Sequence, residues 1–266
     1  MNNYMVGIDS SLKQLFTEIY YIIKEIDSKT VEVWVEIANF PFLEEIGESN
    51  LENFLERFQS ISLKRGNYQQ MYVIVDKITF ILESIQFLNH DIRFLSGILD
   101  YSGFERLIKE ILSRNNYLSL TNFRFSDGSK LKSNTTQKRF EIDVIGIYLN
   151  YILIIDAKQW KRKDSYASMN KAANLQLSRC IALKQNSVAF SNLILNLLGK
   201  ISNFKKKLPF FLIPIIVTLE DNGIKINENL IPIVSIYEFN GFLQELPKNL
   251  QYFKKIQIKN LFYKKN

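Results

Sequence analysis

Residues 139–162 read RFEIDVIGIYLNYILIIDAKQWKR, two apolar runs of the kind that form a buried pair of strands. Asp143 interrupts the first run, and Asp156 and Lys158 end the second. An ionised group in an apolar sheet is costly unless it is paired, hydrogen-bonded or bound to a metal. Side chains alternate across a strand, so Glu141, Asp143 and Ile145 share one face, opposite Phe140, Ile142 and Val144. Asp156, Lys158 and Trp160 share a face in the second run, opposite Leu153, Ile155 and Ala157. A hairpin turning at Leu149-Asn150 would bring Asp143 and Asp156 to the same end of a sheet. Two converging carboxylates beside a lysine form an arrangement that a divalent cation resolves. The competing reading is architectural: Asp143 and Lys158 as a cross-strand ion pair.

Composition narrows the chemistry. The 266 residues contain one cysteine, Cys180, and one histidine, His90. Thiolate–imidazole zinc sites and histidine triads therefore have almost no material, and an oxygen-only donor set favours Mg²⁺ or Mn²⁺. A single cysteine forms no internal disulfide, which suits a reducing cytoplasm. No stretch reaches the ~18 uninterrupted apolar residues of a membrane helix, and MNNYMVGIDSS lacks the pattern of a secretory signal. Nearly half the residues are apolar, which predicts a globular chain with a packed core.

Two regions are expected to support these residues. Leu12, Leu15, Phe16, Ile19, Ile22, Ile23 and Ile26 trace one face of a helix. Met71, Val75, Ile78, Leu82, Ile85 and Leu88 predict a second, and Leu51–Ile61 a shorter one. Thr30–Ile37 alternates like a strand. Residues 1–95 thus read as mainly helical, and residues 96–266 as a separate α/β domain. Within the latter a helix over 102–116 precedes a strand near Tyr117–Phe125 and a turn at Ser126-Asp127-Gly128-Ser129. The quoted strand pair follows, then helices over about 165–185 and 188–204, strands over 209–220 and 231–236, and a helix over 237–246. That order predicts a mixed central sheet flanked by helices.

The pattern resembles the PD-(D/E)XK nuclease superfamily, of restriction-endonuclease-like fold. The matching residues are Glu105 in YSGFERLIKEIL, Asp143 in FEIDVIG and Asp156-Ala157-Lys158 in ILIIDAKQW. Their order is similar to that of archaeal Holliday junction resolvases and of Mrr-like and nuclease-related domains, over about residues 100–245. The resemblance implies phosphodiester hydrolysis with Mg²⁺ or Mn²⁺ held by Asp143, Asp156 and the Ala157 carbonyl, and with Glu105 as a contact through water. Lys158 would then stabilise transition-state charge. Gln176 stands where RecB-like relatives carry a Gln, but Cys180 replaces their Tyr. Asp-x-Lys alone is uninformative, since Asp27-Ser28-Lys29 also fits it. Glu105 has its own structural alternative, because Ser102-x-x-Glu105 spells a capping box.

Charge completes the expectation. Residues 1–100 hold 8 Lys+Arg against 15 Asp+Glu, a balance of −7, whereas residues 159–266 hold 17 against 6, a balance of +11. The basic part suits a polyanion, with Lys161, Arg162 and Lys163 directly after the motif as phosphate contacts and Gln176 and Arg179 as further candidates. Lys205–Lys207 reads as a solvated helix end. The expected partner is DNA, with RNA as the alternative, and residues 1–95 are left for a protein partner or a homodimer. The rival functional class is a catalytically inactive nuclease fold that binds nucleic acid or serves in assembly. A third reading is an unrelated α/β protein with a buried ion pair.

Overall fold

The computed structural model describes residues 2–46, 48–67, 70–126, 139–159, 166–199, 208–221, 223 and 225–259. Backbone contacts divide the chain into two compact units, Met1–Leu107 and Ile108–Asn266.

The first unit starts with helix α1 (Asn2–Lys24), which buries Leu12, Leu15, Phe16, Ile19 and Ile23 on the face their spacing predicts. Strand β1 (Glu32–Glu36) fulfils the alternation seen in the sequence. After α2 (Pro41–Ile46) and α3 (Glu48–Leu55), it forms an antiparallel sheet of order β1-β3-β2 with β2 (Ile61–Arg65) and β3 (Met71–Asp76). The helix expected over 71–88 is thus a strand followed by α4 (Lys77–Ser84). Met71, Val73 and Val75 are buried while Tyr72, Ile74 and Asp76 are half-buried, a period of two. The switch of period falls at Asp76, whose side chain accepts the Thr79 N–H at 2.8 Å and caps α4. The helix expected to reach Ile61 ends at Leu55, and Ile61 opens β2. Short helix α5 (Ile92–Leu95) completes the unit's named elements up to the division.

Helix α6 (Tyr101–Arg114) runs across the division between the units. In the second unit, β4 (Leu118–Ser126), β5 (Arg139–Tyr148) and β6 (Tyr151–Lys158) form an antiparallel meander. Helices α7 (Tyr166–Gln185) and α8 (Ser187–Leu198) then lead to β7 (Phe210–Thr218), which pairs parallel with β6. Strand β8 (Ile233–Ser235) pairs parallel with β7, helix α9 (Ile236–Asn249) follows, and β9 (Ile256–Ile258) pairs antiparallel with β7. The result is a six-stranded mixed sheet of order β4-β5-β6-β7-β8, with β9 alongside β7. Only β9 lacks a counterpart in the sequence reading; three residues flanked by lysines give too short a pattern to register.

Helices cover both faces. Ile145, Ile147, Ile152 and Ile154 pack with Cys180 and Leu183 of α7 and with Phe190, Leu193 and Ile194 of α8. On the other face Gly146 lets α6 approach closely: a Cβ there would lie 3.0 Å from the Leu112 side chain. Asn115 of α6 and Asn240 of α9 hydrogen-bond at 2.8 Å, so α9 lies beside α6.

Candidate active site

The β5–β6 hairpin turns at Leu149-Asn150 as expected, with Leu149 in the left-handed region (φ 54°). Pairing runs from Tyr148↔Tyr151 to Val144↔Ile155, and the next step would set Asp143 against Asp156. There the ladder stops, and the Asp143 side chain takes over. Its Oδ2 accepts the Ala157 N–H at 2.8 Å. The β4 side is interrupted at the same level. Thr121 pairs with Val144 and Phe123 with Ile142, but Asn122 between them adopts φ 57° and leaves the ladder. Side-chain alternation changes phase here: Ile142 joins the same buried cluster as Ile145 and Ile147, and Phe123 packs there with Leu120. This corrects the expectation that Ile142 and Ile145 face opposite ways, which assumed an uninterrupted strand.

On its other edge β6 remains regular. The Lys158 carbonyl accepts the Leu219 N–H at 3.0 Å, towards β7. Amide and carbonyl of one strand residue point the same way and alternate along the chain, so the Ala157 carbonyl projects towards Asp143. Asp143, Asp156 and the Ala157 backbone are thus neighbours at the end of the hairpin.

Asp156 is 1% exposed and carries two cations. Lys158 Nζ lies 3.0 Å from its Oδ2, and Arg179 Nη1 lies 2.6 Å from its Oδ1. The same Arg179 nitrogen donates to Gln176 Oε1 at 2.9 Å, and the fully buried Gln176 donates from Nε2 to the Ile154 carbonyl at 2.7 Å. Residues three apart share a helix face, so Gln176 and Arg179 pin α7 to β6 as a unit. The architectural alternative, an ion pair between Asp143 and Lys158, is replaced by one between Asp156 and Lys158.

The remaining candidates are placed as follows. Glu105 is buried, 4% exposed, in the part of α6 that belongs to the first unit. The capping-box alternative fails, because the helix begins at Tyr101 and Asp100 caps it, accepting the Gly103 N–H at 2.7 Å. The signal for this was present in Asp100-x-x-Gly103. Glu141 is exposed and pairs with Arg124 at 2.8 Å. The second Asp-x-Lys, Asp27-Ser28-Lys29, lies in a turn, where Asp27 Oδ1 accepts the Lys29 N–H. Burial pushes the Cys180 thiol up, away from thiolate chemistry. Trp160, Lys161, Arg162, Lys163 and Lys205–Lys207 lie outside the described residues.

Residues 101–225 match the family model of the nuclease-related domain, NERD. The match agrees with the PD-(D/E)XK resemblance of the motif. No curated protein matches the chain. A solved structure described as protein VC1899 from Vibrio cholerae aligns with 90% of this chain at 14% identity and a TM-score of 0.30. The aligned part is 56% of that protein's length. Among the described residues no helix is long and apolar enough to cross a membrane.

Proposed function

We propose that the protein is a Mg²⁺- or Mn²⁺-dependent nuclease that hydrolyses phosphodiester bonds in DNA, in defence, repair or recombination. The observation that carries the reading is the Asp156–Lys158 ion pair beside the Asp143–Ala157 hydrogen bond at the end of the β5–β6 hairpin, inside a segment matched as nuclease-related. Among the described residues no three side chains of the His, Cys, Asp and Glu types gather as a metal-holding group. Two carboxylates with a carbonyl nevertheless fit Mg²⁺, which binds through one or two carboxylates and keeps several waters. Asp143, Asp156 and the Ala157 carbonyl would hold the ion, which when bound supplies Lewis acidity and an activated water. Lys158, oriented by Asp156, offers its ammonium to the charge that develops on the phosphoryl oxygens. Glu105 is retained as a proposed catalytic residue, since its capping role is ruled out. The nuclease domain is taken as 96–266, which keeps α6 whole, and its +11 stretch would bind the phosphate backbone irrespective of sequence. Residues 1–95 would serve a protein partner or a homodimer.

The test is incubation with linear, circular, single-stranded and branched DNA in Mg²⁺, Mn²⁺ or EDTA. Cleavage is expected with either metal, absent in EDTA and absent in Asp156→Asn. A chain that binds DNA yet cleaves none of these substrates with either metal would overturn the reading.

One observation favours the rival, a non-catalytic nucleic-acid-binding fold: both Asp156 oxygens already meet cations of the protein itself. Asp143-dependent Mn²⁺ binding separates the two readings, since only the nuclease needs it.

A further inference from the structure

Asp143, Asp156, Lys158 and Arg179 carry formal charges that sum to zero, and Asp156 is nine-tenths or more buried. A divalent cation bound to Asp156 must share that carboxylate with a guanidinium 2.6 Å from one oxygen and an ammonium 3.0 Å from the other. Like charges a few ångströms apart repel strongly in a site so little screened by water. Either one cation leaves, or new negative charge arrives with the metal. Arg179 is the one able to leave. Lys158 belongs to the motif itself and shares its strand face with Asp156, whereas Arg179 reaches across from α7. Among the described residues its bonds all use Nη1. Its Nε and Nη2 keep three N–H groups in the planar fork that matches a phosphate.

We propose that Arg179 is a positioning residue that competes with the divalent cation for Asp156 and passes to the backbone phosphate when metal and DNA bind together. Metal and DNA then bind cooperatively, because phosphate takes over the cation that the metal displaces. This deepens the nuclease reading and rests on it. The coupling expected of such a device is on the order of 10-fold, within the usual range for linked sites.

The experiment is calorimetry of Mn²⁺ with the full chain as wild type, Arg179→Met and Arg179→Lys, alone and with a nuclease-resistant phosphorothioate DNA duplex. Arg179→Met should bind Mn²⁺ about 10-fold more tightly than wild type without DNA, and its gain from DNA should shrink by a similar factor. Arg179→Lys, which keeps the competing charge, should stay near wild type. Arg179→Gln carries the comparison should the Met variant not fold. Asp143-dependent Mn²⁺ binding with the same Kd in wild type and Arg179→Met, or Arg179→Gln in its place, overturns this inference alone. Absence of Mn²⁺ binding in all of these proteins, with and without DNA, overturns the metal reading together with it.

Discussion

Asp143 Oδ2 and the Ala157 N–H meet at 2.8 Å, and the carboxylate thereby occupies the position of a backbone carbonyl in the β5–β6 ladder. A residue proposed for metal binding is thus also part of the sheet. Substitution there separates the two roles. Asp143→Asn keeps an acceptor for the Ala157 N–H, whereas Asp143→Ala leaves a buried donor without its partner. Ala should therefore cost ~1–3 kcal/mol more than Asn in chemical denaturation. Both should lose Mn²⁺ binding by calorimetry, and equal stabilities would show that the hydrogen bond contributes nothing.

Asp156 has two cationic neighbours, so either can be removed while the other remains. Lys158→Met and Arg179→Met should each fold. The double variant leaves a buried carboxylate without a cation and should cost more than the sum of the single changes, by ~0.5–3 kcal/mol. Additive losses in urea melts would mean that the two cations act independently of each other.

The approach of α6 to β5 rests on Gly146. The Cβ of Gly146→Ala would lie 3.0 and 3.1 Å from the two Leu112 methyls and 3.3 Å from the Tyr117 ring, and Leu112 is fully buried. Overpacking predicts a loss of ~1–3 kcal/mol. Adding Leu112→Val to Gly146→Ala should recover part of it. A double variant less stable than Gly146→Ala alone would point to a cause other than crowding.

Acid sensitivity is expected in the first unit at Asp91. Its carboxylate accepts the N–H groups of Arg93 and Phe94 at 3.0 and 3.2 Å and pairs with the Arg93 guanidinium. The hydrogen bond from the Arg93 side chain holds its pKa below the usual Asp value. A depressed folded pKa gives stability that is complete above the unfolded value of ~3.9 and is lost as pH falls through the lower folded value. Asp91→Asn keeps the cap but not the charge. Wild type should exceed it by under ~1 kcal/mol near neutral pH, a half-exposed pair being worth no more. The gap should close as pH falls below the unfolded value and through the lower folded one. A gap that persists unchanged at pH 2 would contradict the charge assignment.

Much of the second unit was legible because its signals were local. The Leu149-Asn150 turn, the unbroken β6 run and the periodicity of α7 each lie within a few residues. That Asp156 and Lys158 share a face followed from strand alternation. What escaped was not local. The phase break at Asp143 falls opposite Asn122, which lies on a neighbouring strand. The bond between Arg179 and Asp156 depends on how a crossover helix packs, so Arg179 read simply as another candidate for nucleic acid. In the first unit, Met71-x-x-x-Val75-x-x-Ile78 fits both a helix and a strand, and only the Asp76 cap divides them.

Strand β6 has one neighbour that the chain reaches at once and another that it reaches late. Its hairpin with β5 closes over two residues, an event of microseconds. Its parallel partner β7 must wait for α7 and α8 to be laid over the sheet, and loop-closure entropy is spent before that pairing gives any return. Asp143 and Asp156 therefore come together before α7 delivers Arg179. For that interval the nascent hairpin holds two carboxylates against Lys158 alone, and the repulsion belongs to the folding barrier. Salt that screens it should lower this barrier and speed folding and unfolding alike. Substitutions in the hairpin should act on the folding arm of a chevron plot, and those in β7 on the unfolding arm.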